Sequence, residues 1–129
     1  MKRRTCFGFM FAAFAAAAGK ADTTARPIRL QCDLAVNPAK EKEFVAYFEN
    51  VFRPIARKHT GYIDLKLLKL DTALRGAAPS GGKYRFDLAY ESEDLRQKWI
   101  NSPDHLKYWP VLENMLTDKN YGILVYDVY

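Results

Sequence analysis

IRLQCDLAVNPAKEKEFVAYFENVFRPI, residues 28–55, changes its hydrophobic period once, and that change decides the fold. Over residues 28–36, Leu30, Cys32, Leu34 and Val36 alternate with Arg29, Gln31, Asp33 and Ala35. That is the two-residue period of a strand with one buried side. Asn37-Pro38 then reads as a helix start, with Asn as N-cap and Pro at the first helical position. Phe44, Tyr47, Phe48, Val51, Phe52 and Ile55 recur at three- and four-residue spacing. The spacing predicts an amphipathic helix of about five turns. Pro54 is expected to kink its last turn or two. Thr60-Gly61 ends it, with Gly61 free to take the left-handed cap conformation.

Working outward toward the C-terminus, residues 62–70 read as a second strand. Residues 71–82 contain Gly76, Pro79, Gly81 and Gly82 and read as a loop. Residues 83–91 form a third strand, with Tyr84, Phe86, Leu88 and Tyr90 on one face. Ser92 caps a short helix carrying Leu95, Trp99 and Ile100. Ser102-Pro103-Asp104 starts another by the same cap-then-Pro logic, continued by Leu106, Trp109, Leu112, Met115 and Leu116. Pro110 is expected to bend or divide that helix. Residues 123–129 form the last strand.

The order βαββααβ predicts an α+β domain over residues 28–129, a four-stranded antiparallel sheet with helices on one face. The last strand adds a condition. Ile123, Val125 and Tyr129 lie on one face, Leu124, Tyr126 and Val128 on the other, so both faces are apolar. A two-layer domain buries only one face of its sheet. A second copy of the chain is the expected cover.

Toward the N-terminus the reading changes from fold to address. Met1-Lys2-Arg3-Arg4 is followed by an apolar run over residues 6–18 and a small-residue exit. A basic start, a short apolar core and small residues near the exit are the parts of a secretory signal. The run is shorter than the roughly 20 residues of a spanning helix. Residues 1–21 are therefore expected to be removed, residues 22–27 to be a short linker, and the product to be periplasmic or secreted, with no stable membrane anchor. Removal takes Lys2, Arg3, Arg4 and Lys20, so 20 basic residues become 16 against 15 acidic ones, and a net charge of +5 falls to +1. No basic surface for nucleic acid survives that loss. Cys6 leaves too, and Cys32, alone, reads as a small buried apolar residue with no internal disulfide to make. No His or Cys cluster has metal-ligand spacing.

Three stretches carry a resemblance. They are Val36-Asn37-Pro38 into the Phe-rich helix, His59-Thr60-Gly61-Tyr62-Ile63 into strand two, and Tyr90-Glu91-Ser92-Glu93-Asp94-Leu95 through Trp99-Ile100-Asn101-Ser102-Pro103-Asp104-His105. Together they resemble the antibiotic biosynthesis monooxygenase domain family of the dimeric α/β-barrel superfamily. The resemblance implies a ferredoxin-like monomer, a homodimer formed through the sheet face, and a pocket between sheet and helices. Several members of the family oxidise quinols or polycyclic phenols with O2 and no metal or flavin. The expected function is thus a cofactor-independent monooxygenase acting on a small aromatic or quinol compound. A non-catalytic small-molecule binding dimer and a haem-binding variant are the alternatives. Of the three positions that mark the haem-degrading branch, Trp99 matches. Gln31 stands where that branch has Asn, and Trp109 stands where it has the haem-ligating His.

His105 is the candidate catalytic acid/base, because an unperturbed imidazole suits proton transfer near neutral pH. Its position in the first turn of a helix equally suits a solvent-facing or capping role. Trp99 and Trp109 could stack on a flat ligand or fill the core. Gln31 and Arg85 lie opposite the apolar sides of their strands and could bind a ligand or face a partner. Tyr62 and Tyr108 are phenols that could orient a ligand or pack at the rim. His59, near a helix C-terminus, suits the helix dipole.

Overall fold

The computed structural model describes residues 26–78 and 83–129. The segment read as an export signal lies outside the described residues. Strand β1 (Ile28–Val36) buries Ile28, Leu30, Cys32 and Leu34 on one side, as its alternation requires. Asn37 caps the next element through its side chain, which accepts from the Ala39 amide at 3.0 Å. A 3-10 turn (Pro38–Lys40) leads into α1 (Glu41–Tyr47), a π-helical segment (Phe48–Phe52) and α2 (Arg53–Ala56).

The π segment is the form taken by the expected kink at Pro54. Proline supplies no amide and its ring crowds the carbonyl four residues earlier. The hydrogen-bond ladder widens just before it, with the Arg53 amide donating to the Phe48 carbonyl. The widened turn also solves a packing problem. Phe44, Phe48, Phe52 and Ala56 are all essentially inaccessible. Four-residue spacing drifts by about 40° per step around an α-helix, and the wider turn takes back part of that drift. One face therefore carries all four residues to the sheet.

Gly61 has φ +95°, the left-handed cap conformation. A Cβ there would lie 2.7 Å from Leu95 Cβ, so the position also needs the missing side chain. Strand β2 (Tyr62–Lys69) and strand β3 (Tyr84–Tyr90) pair antiparallel, with a register shift between Tyr62 and Asp64. Helices α3 (Glu93–Ile100) and α4 (Pro103–Glu113) are capped by Ser92 and Ser102.

Two expectations about α4 are corrected. It runs unbroken through Pro110. The carbonyl that loses its partner belongs to Leu106, which is 66% exposed, so solvent can replace the missing amide. It also ends at Glu113 rather than at Leu116. Leu116–Asp118 instead form a short strand β4 against Ala35 and Val36 of β1, drawn there by the Asn37 amide donating to the Met115 carbonyl at 2.9 Å. With β5 (Ile123–Asp127) the antiparallel sheet has five strands, in the order β2-β3-β1-β4, with β5 also paired to β1. Helices cover one face, giving the α+β ferredoxin-like layer arrangement. Among the described residues no helix is long and apolar enough to cross a membrane.

Candidate functional site

Strand alternation points Leu30, Cys32, Phe86 and Leu88 toward the helices. Helices α3 and α4 return Trp99, His105 and Trp109 toward the same space. Between them lies a cavity of about 310 Å³, bordered on one side by Tyr121 and Ile123. That volume sits at the small end of small-molecule sites.

The cavity brings His105, Trp99 and Trp109 together. The His105 ring is nearly parallel to the Trp109 ring at 5.9 Å and 14°. It meets Trp99 edge-on at 5.1 Å and 85°. Phe52 and Phe86 back Trp109 at 5.6 and 5.2 Å. The Ser102 cap fixes this geometry locally, because its hydroxyl accepts the His105 backbone amide. His59 lies behind the cavity, its ring 4.6 Å from Trp99 and its Nε2 2.9 Å from Asp104 Oδ2.

Burial and the nearby Arg96 cation push the His105 imidazole down to about 4, against a smaller upward pull from Glu113. The ring is therefore neutral near pH 7 and a weaker base than an unperturbed histidine. Burial pushes the Cys32 thiol up to about 12, so it stays protonated. Tyr121 is raised by burial and by its hydrogen bond to Glu113.

The other four candidates lie off the cavity. Gln31 and Arg85 have the strand parity opposite to Cys32 and Phe86 and stand on the other sheet face. There Arg85 forms a forked pair with Asp33 at 2.9 and 3.3 Å, and Arg29 forms one with Asp87 at 2.8 and 3.1 Å. Tyr62 packs against the core at the start of β2. Tyr108 is half-buried on α4, with Lys107 5.2 Å above its ring. A larger hollow of about 600 Å³ opens on the outer face beside Arg85 and residues 68–74. Two of its charged side chains are already paired, Arg85 with Asp33 and Lys69 with Glu41, and Leu74 on its wall is almost fully exposed. The smaller cavity holds the perturbed histidine and the aromatic walls, and it is the better candidate site.

The cavity adds residues that the sequence reading passed over. Arg96 is only 8% exposed and lines it, its Nε and one terminal nitrogen held by Glu93 at 2.8 Å each. Its three-residue spacing from Trp99 placed it on the same helix face, which was a readable signal. Tyr121 lies in the turn before β5 and had no periodicity to reveal it. Among the described residues no three His, Cys, Asp or Glu side chains converge as a metal site.

No family model matches the sequence, and no curated protein matches it. Solved structures do match in shape. A Caulobacter crescentus protein assigned by name to the antibiotic biosynthesis monooxygenases shares 17% identity at TM-score 0.64, over 82% of this chain and 92% of its own. A Bordetella bronchiseptica protein so assigned shares 14% at TM-score 0.64, over 81% and 98%. The hydroxynitrile lyase of Passiflora edulis shares 14% at TM-score 0.63, over 81% and 95%. One shape thus serves proteins named for different reactions, and at these identities likeness speaks for fold alone. The chain carries the ferredoxin-like fold of the antibiotic biosynthesis monooxygenase group.

Proposed function

We propose that this chain, exported and freed of residues 1–21, works as a homodimer that binds a small phenol or quinol in the cavity and oxidises it with O2. The observation that carries the reading is the packing of His105 between Trp99 and Trp109 in an apolar cavity that also holds a buried cation, Arg96. Indole and imidazole faces suit a flat aromatic ring. Arg96 favours the anion that such a ring becomes on losing a phenolic proton. Neutral His105, held between the two indoles, packs against the ligand ring and orients it.

The chemistry needs no external reductant. A deprotonated ring bearing an activated methylene supplies the electrons that O2 requires. One oxygen atom becomes the ring carbonyl, and the other leaves as water with the two methylene hydrogens. Such a reaction suits a compartment where reduced flavin and nicotinamide are scarce.

The test is O2 uptake by residues 22–129 with dithranol, which carries the activated methylene, and with menadiol, whose two electrons and two protons would instead reduce O2 to hydrogen peroxide. Wild type should exceed the spontaneous rate, and His105→Ala should lower the protein-dependent rate by about tenfold or more by opening the gap between the indoles. Uptake at the spontaneous rate in wild type would sink the oxygenase reading. The weak basicity of His105 favours the second reading, a binding dimer without turnover. That reading predicts quenching of tryptophan fluorescence by the same compounds with no uptake.

A further inference from the structure

The cavity wall contains a hydrogen-bonded chain that leads out of it. Trp109 Nε1 donates to Tyr121 Oη at 3.1 Å, and the Tyr121 hydroxyl donates to Glu113 Oε2 at 2.7 Å. Trp109 and Tyr121 line the cavity, whereas Glu113, the last residue of α4, sits half-buried behind them. A hydroxyl on a wall residue, bonded to a carboxylate outside the lining, gives a proton a path out of a largely apolar pocket. Arg96 lines the same cavity, and its fork to Glu93 leaves one terminal nitrogen outside that pair. Arg96 and Glu113 act on His105 in opposite senses, so both lie within electrostatic reach of the ring.

We propose that Tyr121 and Glu113 form the proton exit of this cavity and take the proton of the bound phenol, with Arg96 facing the phenolate left behind. The inference rests on the phenol reading above and names its proton acceptor. The ligand O–H bond breaks as its proton passes to Tyr121 Oη. In the same movement Tyr121 gives its own proton to Glu113 Oε2. Tyr121 ends neutral, Glu113 ends as the acid, and the charge that leaves Glu113 appears on the ligand. Tyrosine does not ionise on the way, because burial makes its anion costly.

His105 is the poorer acceptor for a reason of charge. Its protonation would place a second cation near Arg96 in an apolar cavity, whereas protonating Glu113 removes a charge. A phenol is a weaker acid than a carboxylic acid, so the transfer is uphill. The Arg96 cation offsets part of that slope, and electron loss to O2 draws the step forward.

Dithranol is the probe. Anaerobic quenching of tryptophan fluorescence reads binding, and O2 uptake across a pH series reads turnover. Tyr121→Phe and Glu113→Gln should each lower kcat near neutral pH by about a hundredfold with little change in affinity. The double variant should be no slower than either single one, since the two act in series. Both deficits should shrink as pH rises and dithranol enters already ionised. His105→Gln, whatever its rate, should keep the wild-type pH profile. Glu113→Gln alters a half-buried carboxylate and keeps the test available if Tyr121→Phe does not fold. A merely structural Tyr121, supporting Trp109, would change affinity and leave the pH profile unaltered, and that result overturns the exit. So does a pH-dependent recovery confined to His105→Gln. Wild type that fails to bind dithranol, or binds it without O2 uptake, overturns the function proposed above and this exit with it.

Discussion

The His105 imidazole titrates far below its ordinary value because the fold leaves it little water and one nearby cation. The unfolded chain binds a proton on this residue near pH 6.5, while the folded chain resists it until about 4. Between those values the unfolded state holds more protons, so stability falls as pH falls through the window and is regained as pH rises. The full window corresponds to on the order of 3 kcal/mol. Denaturant unfolding at pH 7 and pH 4 should show His105→Gln losing less stability than wild type by about that amount. Equal losses would mean that the ring is solvated. Gly61 is the second residue whose role is specific. Alanine there meets both a positive φ and Leu95, so Gly61→Ala should lower stability by about 1–3 kcal/mol in the same experiment. An unchanged midpoint would show that the turn can relax.

At the scale of elements, helix starts were the most legible features. Asn37, Ser92 and Ser102 each bond an amide of the turn they begin, as residue type and the following sequence indicated. Ser102→Ala should cost about 1 kcal/mol of stability by thermal unfolding, with weakened binding of dithranol, because the same hydroxyl holds the His105 backbone. Lost stability with unaltered binding would separate the cap from the site. Element ends were less legible. The α4 pattern continues apolar through Met115 and Leu116, yet the chain leaves the helix at Glu113. Leu116 is buried in either state, so hydrophobic spacing could not distinguish helix from strand. The Asn37 amide, far away in sequence, makes the choice. Pro54 announced a disturbance, but the form of it, a π segment, answers to the sheet beneath Phe48 and Phe52.

For the whole molecule, the two sheet faces have different fates. The inner face carries the core and the cavity. The outer face carries the Arg29–Asp87 and Asp33–Arg85 pairs in its middle. Strand β5 remains open on both faces, with Ile123, Leu124, Val125 and Tyr126 each 46–58% exposed. An open apolar edge strand invites association. Sedimentation of residues 22–129 should give twice the chain mass at micromolar concentration. Leu124→Lys with Tyr126→Lys should give a folded monomer, since both side chains are exposed in the single chain. A wild-type monomer would remove the sheet-face dimer from the proposed function.

The sequence by itself determined the order of strands and helices apart from the short β4, together with the helix caps, the left-handed glycine and the identity of the apolar faces. All of these are set by residue spacing of two, three or four and by local backbone chemistry. It also put forward Trp99 and Trp109 by helix phase, and His105 by its imidazole chemistry and the resembling stretch around it. Tertiary structure decided what shares their space. Arg96 and Tyr121 reach the cavity from separate segments, and Glu113 reaches Tyr121 across a turn. The low basicity of His105 depends on burial and on neighbours that no local window contains. Gln31 and Arg85 were put on the outer face by the parity that had been read, and their ion-pair neighbours were supplied by strand register. Spacing reports which way a side chain leaves the backbone, whereas packing of distant segments decides what it meets.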